Sequence, residues 1–164
     1  MTVAKHTLVA LVADKPGVLN RVASLFRRRG FNIESIAVGH TEQKGVSRMT
    51  IVVSGDAATI EQVRKQLDKV IDVIKLSDIT SESIVDRELA LVKVKTTPEN
   101  RGEIIQIIDI FRANIVDVAA ESLIVEVTGD EDKISSLFNL LGNFGIKEIA
   151  RTGRLAMTRG VSPS

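Results

Sequence analysis

The sequence contains no cysteine, no tryptophan and no tyrosine. Without cysteine there are no disulfides, thiol nucleophiles or thiolate metal sites, a composition suited to a reducing compartment. Five phenylalanines are the sole aromatic residues, so few surfaces exist on which single-stranded nucleic acid could stack. An excess of one charge is lacking too. The 22 Lys and Arg against 21 Asp and Glu leave a formal charge of +1, and no broad field steers nucleic acid or an anionic membrane toward the chain. No apolar run approaches the roughly 20 residues needed to span a bilayer. Met1–Lys5 lacks the apolar core of a signal peptide, and a cytoplasmic location is expected. The two histidines, His6 and His40, are isolated in sequence from any partner for a nucleophile or metal cluster. Walker lysine, GxGxxG, HExxH and calcium-loop patterns are missing. Catalysis, metal binding and cofactor binding by this chain alone are therefore not expected.

Apolar residues make up 44% of the 164 positions and charged residues 26%, enough to build a core and keep a globular chain soluble. The pattern is repetitive. His6–Ala13 is a short apolar run, broken by Asp14-Lys15-Pro16-Gly17, residues that suit a turn and a helix start. Val18, Leu19, Val22, Leu25 and Phe26 then recur at helical spacing, predicting a helix over 16–29. Arg27-Arg28-Arg29 complement its carbonyl end, and Gly30 is placed to take a left-handed conformation beyond it. Phe31–Gly39 reads as a strand whose apolar phase shifts between Ile33 and Ile36, predicting a bulge near Glu34-Ser35. After a hairpin loop containing Gln43-Lys44-Gly45, Met49, Ile51 and Val53 alternate with polar residues as in a strand with one buried face. Ile60, Val63, Leu67 and Val70 give a second helix, and 72–79 a fourth strand.

The same βαββαβ order recurs after a polar linker. Strands are expected over 89–95, 115–120, 123–128 and 146–152, and helices over 103–112 and 131–141. Shifting the first repeat by 85 positions places Gly17 on Gly102 and Phe26 on Phe111, whereas Gly55-Asp56 matches Gly129-Asp130 with an offset of 74. The fold class expected is α+β, two tandem ferredoxin-like units, each a four-stranded antiparallel sheet with two helices on one face. The division expected is 1–79, a linker at 80–87, a second unit at 88–160 and a tail at 161–164. Units of this size have marginal solitary cores and open sheet edges, and pairing between chains relieves both.

The informative site is the first strand-to-helix turn, Asp14-Lys15-Pro16-Gly17-Val18-Leu19. Free N–H groups and the positive end of a helix dipole suit a carboxylate, and glycine lets a ligand approach closely. Asp14 supplies an acceptor for an ammonium group. Asn32, which carries both donor and acceptor, opens the next strand and is a candidate to close over the same ligand. Together these groups match the two ends of an amino-acid zwitterion. A structural account competes: Asp and Pro are favoured at helix starts, and Gly17 can serve tight packing alone. On spacing by itself the structural account is the stronger.

Asp14–Leu19 followed by Arg29-Gly30-Phe31-Asn32-Ile33-Glu34-Ser35 resembles the ACT domain of acetolactate synthase small subunits. The similarity continues through Ser47-Arg48-Met49-Thr50-Ile51, Lys65-Gln66-Leu67, Arg87-Glu88-Leu89-Ala90-Leu91, Phe111-Arg112-Ala113-Asn114 and Arg159-Gly160. The resemblance implies a non-catalytic regulatory subunit in branched-chain amino acid biosynthesis. Such a subunit would activate a separate thiamine-diphosphate-dependent catalytic subunit and confer feedback inhibition by valine. It implies that the first unit forms a homodimer and holds valine at the joint, with contacts from Asp14, Gly17, Val18, Leu19, Asn32 and Ile33. Thiamine diphosphate, Mg and FAD are implied for the catalytic subunit, none for this chain, and the second unit is expected to bind no effector and to help contact that subunit. Other readings are a free-standing ACT amino-acid sensor and, last, an RNA-binding ferredoxin-like module. The latter needs aromatics on the central strands, where this chain has Met49, Ile51 and Val53.

Overall fold

The structure, a computed structural model, describes residues 4–28 and 31–160. Its first unit runs β1 (Ala4–Ala13), α1 (Val18–Arg28), β2 (Asn32–His40), β3 (Val46–Gly55), α2 (Ala57–Asp68) and β4 (Val73–Asp78). The four strands form one antiparallel sheet in the order β2-β3-β1-β4. Strand alternation sends Leu8, Ala10, Val12, Met49, Ile51 and Val53 to one face. There they meet Val18, Val22 and Phe26 of α1 and Ile60, Val63 and Leu67 of α2. Each fully buried aliphatic or aromatic side chain of this kind contributes about 1.5–3 kcal/mol. This apolar seam, more than helix propensity, holds the helices on the sheet.

The second unit repeats the plan with β5 (Ile84–Lys95), α3 (Arg101–Ile110), β6 (Asn114–Val118), β7 (Ser122–Gly129), α4 (Glu131–Gly142) and β8 (Ile146–Arg151). The strand order is β6-β7-β5-β8. Ala90, Val92, Val94, Leu123, Val125 and Val127 face Ile104, Ile108, Ile134, Leu137 and Leu141. The two Gly-Asp pairs have the same job in both units: Asp56 accepts from the Thr59 amide (2.7 Å) and Asp130 from the Lys133 amide (2.9 Å), capping α2 and α4. Two α+β ferredoxin-like units in tandem are thus present as the sequence predicts.

Several boundaries differ from the sequence reading. Helix α1 begins at Val18 because Gly17 takes φ +86°, which a helix cannot include. Arg29 and Gly30, read as the end of this helix, lie outside the described residues. The bulge falls where expected, between Ile33 and Ser35. The linker shrinks, since β5 already starts at Ile84. The offset of 85 is also wrong for the strand-to-helix turn. Val94 has the place of Val12, and Ile104 and Ile108 have the places of Val22 and Phe26, which makes the offset 82 (94 minus 12) and sets Pro98 on Pro16. Gly102 therefore does not answer Gly17, and the second turn is no longer than the first. Buried positions fix the register, and the Gly-to-Gly match is accidental.

A further strand, β9 (Leu155–Thr158), pairs with β5 and has no counterpart in the expected pattern. The chain divides into a unit up to Val85 that also takes everything from Arg154 onward, and a unit of Asp86–Gly153. Residues 154–160, assigned to the second unit on sequence, belong to the first through specific contacts. Ala156 is 3% exposed, packed with Val9, Ile79 and Ile84. Arg48 Nη2 donates to the Ala156 carbonyl (2.5 Å), Arg154 Nη1 to Thr7 Oγ1 (3.1 Å) and the Arg154 amide to Ser35 Oγ (3.4 Å). Val9, Thr50 and Val52, on the sheet face away from the helices, are buried, Val9 in the cluster with Ala156.

Candidate functional site

The β1-to-α1 turn is held by its backbone from two sides. The Ala13 amide donates to the Asp72 carbonyl (2.8 Å) and the Asp14 amide to the Gly45 carbonyl (2.9 Å) in the β2–β3 hairpin loop. Asp72 is buried, and its carboxylate takes Arg21 Nη2 at 2.5 Å and lies 3.9 Å from Lys15 Nζ. This carboxylate braces α1 against the sheet just below the turn, with the half-exposed Arg21 side chain as its partner. Gly17 adopts φ +86° with no atom within 4 Å of where a Cβ would stand. Its role in this fold is conformational, since a side chain there meets strain of about 1–2 kcal/mol and no clash. The space above it is open, as a ligand site requires. In the first turn of α1 the Val18 amide donates to the Lys15 carbonyl (3.5 Å) and the Arg21 amide to the Gly17 carbonyl (3.0 Å), and the Leu19 and Asn20 amides, without acceptors in the helix, lie at the positive end of its dipole.

The candidate residues are not all brought together. Asp14, Gly17, Val18 and Leu19 share the turn. The Val18 side chain is buried in the core, so only its backbone can face a ligand, while Leu19 is 48% exposed. Asn32 and Ile33 stand at the other end of the sheet. Asn32 pairs with Ser54, which pairs with Lys5, and Lys5 is eight positions (13 minus 5) from Ala13 at the turn. At about 3.3 Å per residue this is roughly 26 Å, so Asn32 does not close over a ligand held by Asp14 of its own chain. Its side chain instead donates to Glu34 Oε1 (3.3 Å), which also accepts from Ser54 Oγ (2.9 Å). Ile33 packs partly into the core. The sequence reading placed Asn32 beside the turn because both flank α1. The helix, however, carries the chain the full length of the sheet between them.

Two residues that sequence reasoning passed over belong to the site. His40, read as isolated, ends β2 beside the turn, with Nδ1 3.5 Å from Asp14 Oδ2. Asp72 is the other. The separation of 26 positions between Asp14 and His40 gives no local signal, and only the parallel course of β1 and β2 reveals the pair. Strand β2 is an edge of the sheet, with one row of backbone hydrogen-bonding groups unpaired by the sheet. Val38 on it is 49% exposed. No cluster of three or more metal-ligating side chains exists among the described residues, and no helix of the described residues is long and apolar enough to cross a membrane.

Comparison with known families accounts for nearly all of the chain. A family profile described as the small subunit of acetolactate synthase matches residues 87–160, and one described as an AHAS small subunit-like ACT domain matches residues 8–75. The chain belongs to the acetolactate synthase small subunit family. A probable acetolactate synthase small subunit of Archaeoglobus fulgidus is 62% identical over 156 residues, covering 95% of this chain and 98% of that protein. The acetolactate synthase small subunit of Bacillus subtilis is 54% identical over 157 residues, covering 95% and 91%. The crystal structure of the small subunit from Thermotoga maritima superimposes with a TM-score of 0.87 at 46% identity, covering 97% of this chain and 99% of that one. Within this family frame the turn and the β2 edge belong to an ACT-type unit, and β9 itself lies inside the region matched by the small-subunit profile, although its contacts are with the first unit.

Proposed function

We propose that this small subunit is the regulatory partner of a thiamine-diphosphate-dependent acetolactate synthase catalytic subunit, activating it and conferring feedback inhibition by valine in the cytoplasm. The Mg, thiamine diphosphate and FAD that the reaction needs are assigned to the catalytic subunit. The observation that carries the reading is the roughly 26 Å, at about 3.3 Å per residue, between the Asp14–Leu19 turn and Asn32–Ile33, on a strand that forms a sheet edge. A two-fold axis through the middle of β2 pairs that edge antiparallel with its copy and turns each end of β2 toward the opposite end of the other. The partner's Asn32 then stands beside His40 and Asp14, and a complete effector site draws its turn from one chain and its strand start from the other. The same pairing satisfies the open backbone row and covers Val38.

In that site the α1 amides take the carboxylate of valine, the Asp14 carboxylate takes its ammonium group, and the exposed Leu19 lies against its isopropyl group. Control of the catalytic subunit requires valine to bind one arrangement of the dimer more tightly than another, and a difference of about 1–3 kcal/mol is enough to change activity noticeably. The uncovered outward face of the second sheet, with Leu89, Leu91, Ile124 and Ala150 around the Lys93–Glu148 pair, is the surface assigned to the catalytic subunit. The test is reconstitution with the catalytic subunit and a valine titration of acetolactate formation. Activity that rises on adding the small subunit and falls with valine is the expected result. An activity indifferent to saturating valine rejects feedback control by this chain.

A further inference from the structure

The two units can be compared position by position. With the offset of 82, Thr96 stands where Asp14 does and Arg101 where Leu19 does. The ladders set Ala37 against Thr50 and Asp117 against Ile124, so the second strands correspond with an offset of 80 (117 minus 37), and Ala119 and Ala120 take the places of Gly39 and His40. The corner that in the first unit holds Asp14, Leu19 and the end of β2 is thus rebuilt in the second from Thr96, Arg101 and the end of β6.

That rebuilt corner is occupied from within. Arg101 Nη2 lies 2.8 Å from the Ala119 carbonyl, 3.0 Å from the Ala120 carbonyl and 3.0 Å from Thr96 Oγ1. Its Nε is buried without a partner. The turn before the helix is tied by its own side chains: Asn100 Oδ1 accepts from the Thr97 amide (2.7 Å), and Thr97 Oγ1 accepts from the Asn100 amide (3.3 Å). No glycine with positive φ opens this turn, because Glu99 stands in the place of Gly17. Three oxygen acceptors converge on one cationic nitrogen. The planar guanidinium supplies fixed donors and no acceptor, so it fits such a set and nothing anionic does. In the first unit the counterpart residue, Leu19, has no donor to offer.

We infer that Arg101 is a built-in plug: its guanidinium fills, in cis, the corner made by Thr96 and the Ala119 and Ala120 carbonyls, where the first unit has the uncharged Leu19, and it keeps that corner of the second unit closed. Shortening this side chain opens a latent site for a small guanidinium or primary ammonium compound, bounded by Thr96 and the Ala119 and Ala120 carbonyls. The inference goes beyond the effector reading of the first unit and stands without it, since it concerns acceptors in the second unit alone.

The test uses the full-length chain and its Arg101→Ala variant, with methylguanidinium chloride as probe and sodium chloride as the ionic-strength control. The variant is expected to melt about 5 °C lower, because its acceptors lose their donor. It should recover that loss saturably at millimolar methylguanidinium, while the native chain, already filled, shows no saturable response. A variant indifferent to the probe, or a native chain that responds equally, overturns the inference. Should Arg101→Ala fail to fold, Leu19→Arg transplants the plug to an exposed position of the first unit, and this arm alone rests on the effector reading. Calorimetry of the native chain with valine reports on that reading by itself. Where the native chain binds valine, Leu19→Arg is expected to weaken binding at least tenfold while circular dichroism stays native. Unchanged affinity in that variant overturns the correspondence between the two corners.

Discussion

If the effector site is shared between two chains, single defects in its two halves should complement each other. Asp14→Ala removes the acceptor at the turn, and Asn32→Ala removes the strand-start amide. The register puts these residues roughly 26 Å apart within one chain, at about 3.3 Å per residue over the eight positions from Lys5 to Ala13, far beyond the reach of one amino acid. Each site of a homodimer of either variant lacks one half and should bind valine weakly. Loss of a charge-assisted hydrogen bond costs about 1.5–3 kcal/mol, a fall in affinity of roughly ten- to a hundredfold. In a mixed dimer one site carries both defects and the other carries neither. Equal amounts of the two variants, unfolded and refolded together, pair at random and give half mixed dimers. The mixture should then regain native affinity at about a quarter of the native stoichiometry, as two-fold symmetry requires. Isothermal titration calorimetry reads both quantities. A mixture that binds no better than either parent, when exchange of chains is verified by mass, refutes the shared site, and so does native affinity in the Asn32→Ala homodimer.

Burial of Ala156 among Val9, Ile79 and Ile84 predicts that Ala156→Asp, which forces a carboxylate into that cluster, loses about 3 kcal/mol. Met157→Asp, at an exposed neighbouring position, should be nearly neutral. Urea unfolding followed by circular dichroism separates the two, and equal stabilities would show that the segment from Arg154 does not anchor the first unit. The α2 carboxylates give a pH dependence of known sign. Hydrogen bonds from the Thr59 side chain and amide hold Asp56 below its ordinary range, and the bond from Arg64 does the same for Glu61. Both carboxylates are more acidic folded than unfolded, so their stabilisation is complete above the ordinary carboxylate range and is lost as pH falls through the folded values. Urea midpoints measured from about pH 7 down to about pH 2 should decline at the acid end, and less so in the Asp56→Asn, Glu61→Gln double variant. An identical decline would remove these two groups as contributors.

Much of the architecture was legible in the order of residues. The helical spacing of Val22 and Phe26, the alternation of Met49, Ile51 and Val53, and the repeated Gly-Asp before α2 and α4 each mark local structure. Local sterics and one-sided burial act over a few residues, and such signals survive in the sequence. The repeat register was misread where it rested on glycine identity. Gly102 matched Gly17 by type, but Val94 and Ile104 hold the buried places of Val12 and Val22. The site was half legible. The turn from Asp14 to Leu19 is a contiguous segment whose composition suits an open helix start, and the resemblance to small subunits made it the candidate. Asn32 does not reach the turn of its own chain, because α1 returns the chain along the sheet and β2 starts at the end where β1 began.

The sequence by itself determined the two βαββαβ units, the bulge in β2 and the family, since each depends on residues close in the chain or on a pattern shared along its length. Only the tertiary structure decided that Asp14 meets His40, that Arg101 fills the corner made by Thr96, Ala119 and Ala120, and that Ala156 seals the first sheet. Those contacts join positions brought together by packing, and their energies depend on burial and distance, which take values only once the chain has folded.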